Sequence, residues 1–178
     1  MSQLPFTDIT YLKEGTPRQQ QAWEVLNTHR VLSILQDFDP ILTGTIPLDI
    51  DIESSDLDII CHWQDAELFT RTLRHHWGQL PDFQLQSYEK NGFDTILTRF
   101  TLPGFELEVY GQNRPSYQQE AYRHMVREYE ILQKMGPAFK EQIRKLKRSG
   151  LKTEPAFALL LGMAGDPYRA LLDYEPEE

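Results

Sequence analysis

"GTIPLDIDIESSDLDIIC", residues 44–61, carries two Asp-x-Asp pairs, Asp49 with Asp51 and Asp56 with Asp58. Their neighbours differ. The second pair runs on through Leu57, Ile59, Ile60 and Cys61, whereas "ESS" interrupts the first within two residues. Extended backbone sends alternate side chains to opposite faces, so a strand over 56–62 puts Asp56 and Asp58 on one face and Leu57 and Ile59 on the other. Carboxylates held side by side repel, and a divalent cation relieves the repulsion by taking several of their oxygens at once. The second pair is therefore the candidate for chemistry. Asp49, Asp51 and Glu53 read instead as loop and turn residues that solubilise an isoleucine-rich connector.

The flanks strengthen this choice. "ILT" at 41–43 predicts a short buried strand that ends in Gly44-Thr45, where free backbone N–H groups and a hydroxyl can cradle a phosphate. "FELEVY" at 105–110 puts Glu106 and Glu108 on one face of a later strand, and alternation alone leaves both open as a third acid. Three acids on neighbouring strands beside a phosphate loop suit phosphoryl transfer with paired cations about 3.5–4 Å apart.

Outward from this segment, Thr16-Pro17 predicts a helix start, with Ala22, Trp23 and Leu26 at helical spacing. Thr28 reads as a second cap opening "HRVLSIL", and "QDAELFTRTLRHHWG" as a helix closed by Gly78. "FQLQSYE", "FDTILTRFTL" and "FELEVY", separated by Asn91-Gly92 and Pro103-Gly104, predict an antiparallel meander. Helices are expected at about 116–135, 138–149, 155–163 and 167–173, and "YEPEE" reads as a disordered tail. The expected fold class is α+β, a mixed β-sheet with flanking helices and a C-terminal helical region. One domain is expected over 1–178, with the α/β core in 1–115 and the helical region in 116–178.

Composition limits the function classes. A net charge of −9 and a pI near 5.0 argue against broad attraction to nucleic acid or anionic membrane. The lone Cys61 excludes an internal disulfide framework and a cysteine zinc site, which suits a cytoplasmic location. "MSQLPFTDITYLKEG" lacks the pattern of a secretory leader, and no run reaches the roughly 20 apolar residues of a membrane span.

A Gly-Thr loop, a spacer, Asp-x-Asp on a strand and a later strand acid together resemble the nucleotidyltransferase superfamily of the polymerase-beta type. "GTIPLDIDIESSDLDIIC", "FELEVYGQNRPSYQQEAYRHM" and "GLKTEPAFALLLGMAGDPYRALL" resemble, more narrowly, an uncharacterised bacterial family within it, domain of unknown function 4269. The resemblance implies a magnesium-dependent nucleotidyltransferase that moves a nucleoside monophosphate from an NTP to an unknown acceptor hydroxyl. It implies that Gly44, Thr45 and Ser55 bind the nucleotide and that Asp56, Asp58 and Glu108, favoured over Glu106, bind one or two magnesium ions. Rival readings are an inactive nucleotide-binding module and a protein-interaction partner of the toxin–antitoxin kind.

Other polar residues receive milder assignments. His124 and Glu128, four apart, read as a surface helix pair, the alternative being a pair that supports the site from behind or reaches an acceptor, and Gln118 and Gln119 read as residues near the site mouth. Lys140, Arg144, Lys145, Lys147 and Arg148 read as a solvated helix face opposite Phe139, Ile143 and Leu146, the alternative being a basic rim for triphosphate or a nucleic-acid acceptor. Arg114, Arg123 and Arg127 are further phosphate candidates. His62, His75 and His76 lack partners at metal-ligand spacing.

Overall fold

The computed structural model describes residues 5–175. The first four residues of the N-terminal stretch and the last three of "YEPEE" lie outside the described residues.

After 3-10 turns at Pro5–Thr7 and Ile9–Glu14 come helices α1 (Pro17–Thr28) and α2 (Val31–Ile34). The chain continues through strand β1 (Ile41–Thr43), the acidic connector, β2 (Leu57–His62), α3 (Ala66–Trp77), β3 (Gln84–Lys90), β4 (Phe93–Leu102) and β5 (Phe105–Gln112). Helices α4 (Glu120–Met135), α5 (Pro137–Arg148), α6 (Thr153–Leu160) and α7 (Pro167–Asp173) complete it. The strands form one mixed sheet in the order β1-β2-β5-β4-β3, parallel only between β2 and β5.

Turn chemistry builds the meander. Asn91 and Gly92 both have positive φ, 53° and 80°, which is the two-residue turn whose twist matches paired strands. Pro103 and Gly104 (φ 86°) join Leu102 to its partner Phe105. Asp65 caps α3 by accepting from the Glu67 and Leu68 N–H groups at 2.9 and 3.0 Å.

The sheet separates two cores. On one face Leu57, Ile59, Phe100, Leu107 and Val109 pack with Leu26, Val31 and Leu35 and with Phe69, Leu73 and Trp77 of α3. On the other, Ile41 and Ile60 join Met125, Ile131, Phe139, Ile143 and Phe157 of the C-terminal helices. The connector contributes to both: Ile46 enters the first core, Leu48 and Ile50 the second. Its isoleucines are thus anchors, and burying such a side chain stabilises by about 1.5–3 kcal/mol.

Several local expectations are corrected. Thr28 ends α1 instead of capping a second helix: the reversal is made by Arg30 in the left-handed region (φ 53°), with no side-chain cap. The helix expected from 116 is broken at Gln119, whose backbone is extended because its buried amide donates to the Cys61 and Arg114 carbonyls at 2.8 and 2.9 Å. Gln119 is therefore a strut beneath the sheet and not a mouth residue. Helix α6 stops at Leu160, and its Leu159 is 62% exposed, so "PAFALLLGM" is only partly a core helix.

The basic face of α5 is corrected most. Arg144 donates to Asp49 Oδ1 at 2.7 Å and Lys140 to Asp49 Oδ2 at 3.3 Å. Arg148 pairs with Glu53 at 3.0 Å, and buried Lys147 donates to the Ile50 carbonyl at 3.0 Å. Four of the five cations clamp the connector to α5, so Asp49 and Glu53 are docking residues whose partners lie some 95 positions downstream. On the far side of the connector, Gln19 Nε2 donates to the Ile46 carbonyl at 2.8 Å while its Oε1 accepts the Thr16 N–H in the α1 capping box.

Close packing of α3 on the sheet depends on Gly111, where an added Cβ would meet Phe69 Cε1 at 2.3 Å and Trp63 Cδ1 at 2.8 Å. Gly111→Ala is expected to destabilise the fold by about 1–3 kcal/mol through overpacking, read as a lower urea midpoint with an unchanged slope.

Candidate functional site

Parallel pairing of β2 with β5 sets Asp58 directly beside Glu108, and antiparallel pairing of β1 and β4 extends the row to Thr43 and Arg99. Asp56 lies just before β2. Carboxylate oxygens of Asp56, Asp58 and Glu108 lie within 4.8 Å of one another, the one such metal-capable group among the described residues. Glu106 is exposed and pairs with Thr101 at the outer part of the strand, so of the two candidates it is Glu108 that meets the aspartates.

Burial, and next the charges of Asp56 and Glu108, push the Asp58 carboxyl well above the usual carboxylate range. Arg99 binds Glu108 through both Nε and a terminal guanidinium nitrogen, and both contacts fall on Oε1. That leaves Oε2 uncommitted, so Arg99 orients the carboxylate without occupying all of it.

Gly44 closes the group. Its φ of 80° requires glycine, and an added Cβ would sit 2.3 Å from Asp58 Oδ2. Thr45 Oγ1 donates to Ser55 Oγ at 3.3 Å, and Ser55 Oγ also accepts the Ile52 N–H at 3.0 Å. The Thr45 carbonyl accepts the Ile50 N–H at 3.1 Å. Gly44, Thr45 and Ser55 thus form one closed loop whose rim faces the carboxylates.

The carboxylates stand at the base of a cavity of about 530 Å³ between the sheet and the C-terminal helices. Phe93, Tyr110 and Arg114 line one side, with the Arg114 guanidinium 4.9 Å from the Phe93 ring centre. Helices α4 and α5 and the start of α6 contribute His124, Glu128, Lys147 and Glu154 to the opposite side. His124 and Glu128 are 7% and 4% exposed, so they are not the surface pair that their spacing suggests. Burial, and next the charge of Glu154, raise Glu128 to about 8. Burial lowers Lys147 to about 8 even though Asp51, Glu128, Asp56 and Asp58 favour its charge. Of the other phosphate candidates, Arg123 is exposed and Arg127 pairs with Glu130 at 2.9 Å.

Some of this was available to sequence reasoning. Phe139, Ile143 and Lys147 recur four apart, so Lys147 belongs to the buried face of α5; the same spacing puts His124, Glu128 and Leu132 together on α4. The two-residue Pro103-Gly104 turn also sets the hairpin register that brings Arg99 opposite Glu108. Nothing local marks Glu154.

The sequence matches the family described as Domain of unknown function (DUF4269) over residues 24–174. The chain belongs to this family. No curated protein matches it. Among solved structures it is similar to Cid1, described as having RNA terminal uridylyl transferase activity, with a TM-score of 0.53 at 11% identity over 78% of this chain and 45% of that one. It is also similar to the polymerase core of TRAMP, an RNA surveillance complex, with a TM-score of 0.53 at 13% identity over 92% of this chain and 50% of that one. The structure of the GLD-2/RNP-8 complex gives 0.54 at 10% identity over 86% and 61%. This member of the DUF4269 family therefore has the polymerase-beta-like nucleotidyltransferase fold, and it spans about half the length of the first two of these structures. No helix among the described residues is long and apolar enough to cross a membrane.

The buried titratable groups give stability a defined pH dependence. Between the usual carboxyl value of 4.5 and about 8, folded Glu128 keeps a proton that the unfolded chain releases, so stability falls as pH rises, and Asp58 acts in the same direction. From about 8 to 10.5 Lys147 has the opposite sign, because the unfolded chain retains the proton that the folded lysine has lost. Urea unfolding across this range is expected to show the decline and then its reversal. Glu128→Gln should flatten the lower limb by up to about 1.4 kcal/mol per pH unit.

Proposed function

We infer that the chain is a divalent-metal-dependent nucleotidyltransferase, transferring a nucleoside monophosphate from an NTP to an acceptor hydroxyl. The observation that carries this reading is the convergence of Asp56, Asp58 and Glu108 within 4.8 Å beside the Gly44 turn. The donor set fits a hard cation: all three are carboxylates, and the crowding that raises Asp58 is relieved by positive charge. Asp56, Asp58 and Glu108 would hold one or two magnesium ions. Such ions, when bound, neutralise the triphosphate and polarise the α-phosphorus.

The chain's own residues supply positioning. Gly44 permits a phosphate to approach the backbone, and the Thr45 and Ser55 hydroxyls border the same loop. Lys147 reaches the acid side of the cavity as a cation for the triphosphate, fixed by its bond to the Ile50 carbonyl. In the reaction the acceptor oxygen forms a bond to the α-phosphorus while the bond to the β-phosphate oxygen breaks. Pyrophosphate leaves, and the hydroxyl proton passes to a carboxylate, assigned here to Glu108. Rate enhancement rests on orientation and charge neutralisation. The descriptions of Cid1 and of the TRAMP polymerase core support polynucleotide chemistry as one acceptor class, whereas the net charge of −9 favours a small acceptor.

Incubation with magnesium and α-labelled NTPs is expected to transfer label to an acceptor in cell extract. Asp58→Asn should lower transfer at least about 100-fold while leaving the chain folded. Absence of both label transfer and magnesium-dependent NTP binding, with Asp58→Asn indistinguishable from the parent, would overturn the assignment. Gly44→Ala is a second check: because its Cβ meets Asp58 Oδ2, titration with Mn2+ as a paramagnetic substitute should show roughly tenfold weaker ion binding, about 1.4 kcal/mol.

A further inference from the structure

In the cavity that the proposed metal group lines, α4 and α6 present a second polar cluster. His124 Nε2 lies 3.0 Å from the Tyr168 carbonyl, an acceptor, so this nitrogen carries a proton. Nδ1 faces Glu154 Oε1 at 3.8 Å, beyond hydrogen-bond reach. Glu128 lines the same cavity, is 4% exposed, and makes no side-chain hydrogen bond among the described residues. A buried carboxyl without a hydrogen-bond partner is costly whether it is protonated or ionised.

Two explanations fall short. A metal ion would need the ligand atoms of His124, Glu128 and Glu154 to converge as those of the triad do, and among the described residues they form no such group. Lys147 contributes positive charge, but its hydrogen bond goes to the Ile50 carbonyl and its field is divided among Asp51, Asp56, Asp58 and Glu128. Neither Glu128 nor Glu154 accepts a side-chain hydrogen bond there among the described residues, although Lys147, Lys152 and Thr153 line the same cavity. A hydroxyl brings one donor; an ammonium brings three, together with a charge that offsets Glu154 and lets Glu128, protonated in its absence, ionise beside it.

We propose that Glu128 and Glu154, with His124 Nδ1 between their helices, form the acceptor subsite and bind the ammonium group of a small amine-bearing alcohol. This deepens the nucleotidyltransferase reading and rests on it for the fate of the hydroxyl. The ammonium anchors the acceptor on α4 and α6, and the hydroxyl extends across the cavity towards Asp56, Asp58 and Glu108. Aliphatic amines are protonated at neutral pH, so charge separates this ligand from its neutral polyol counterpart.

Saturation-transfer NMR on the full chain tests the subsite directly, without NTP or magnesium. The probes are glucosamine and ethanolamine, paired with glucose and ethylene glycol. The amine of each pair is expected to give at least a fivefold stronger signal than its counterpart. Glu128→Gln and Glu154→Gln, checked for folding by circular dichroism, should each cut that signal fivefold or more, with magnesium-dependent NTP binding changed by a smaller factor, since the Glu154 charge also reaches Asp58 and Glu128 also acts on Lys147. Asp58→Asn should do the reverse, losing NTP and keeping the amine. Equal signals for amine and counterpart in both pairs, or an amine signal indifferent to both glutamine variants, would overturn the subsite. Amine selectivity that depends on Glu128 in a chain that binds no NTP would uphold the subsite and refute the transferase reading instead.

Discussion

Asp58 and Glu108 occupy one register position on β2 and β5, so the sheet's single parallel pairing holds two carboxylates side by side, with Asp56 beside them. Like charges at this separation oppose folding, and their cost shows in the raised Asp58 carboxyl. Much of the remaining structure can be read as support for this arrangement. Leu57, Ile59, Leu107 and Val109, which alternate with the acids, are fully buried against the N-terminal helices and fix the register from behind. Arg99 neutralises one side of Glu108.

The connector is the second element on which the site depends. A loop of twelve residues between Gly44 and Leu57 would ordinarily be mobile, and mobility here would blur the approach to the carboxylates. Two anchors oppose it: Gln19 holds the Ile46 carbonyl from α1, and four cations of α5 hold Asp49, Ile50 and Glu53. Exposed pairs such as Arg148 with Glu53 contribute little singly. The shared Asp49 network and the burial of Leu48 and Ile50 carry more, because they remove apolar surface and charge from water together. The α5 helix thus shapes the cavity even where it does not line it.

Three proteins with the same fold and no more than 13% identity show how little of this sequence the fold constrains. The cavity wall contributed by α4 and α6 carries the groups that the proposed acceptor subsite uses. His124, Glu128 and Glu154 are buried or half-buried on the side facing the carboxylates, where substrate discrimination has to occur.

The order of elements was legible in the sequence wherever one local rule was sufficient. Asn91-Gly92 and Pro103-Gly104 dictate the meander, Thr16-Pro17 starts α1, and alternation divides Asp56 and Asp58 from Leu57 and Ile59. Hairpin turns fix register because the two strands are joined by a few residues, which is why Arg99 opposite Glu108 follows from counting back from Pro103-Gly104. Tertiary structure alone decided the pairing of Asp58 with Glu108, the docking of Asp49 on Arg144, and the meeting of His124 with Glu154. These partners stand 50, 95 and 30 positions apart. Periodicity reports which face a side chain occupies; which distant face it meets depends on how two helical layers close over the sheet, and that is set by the burial of both cores at once.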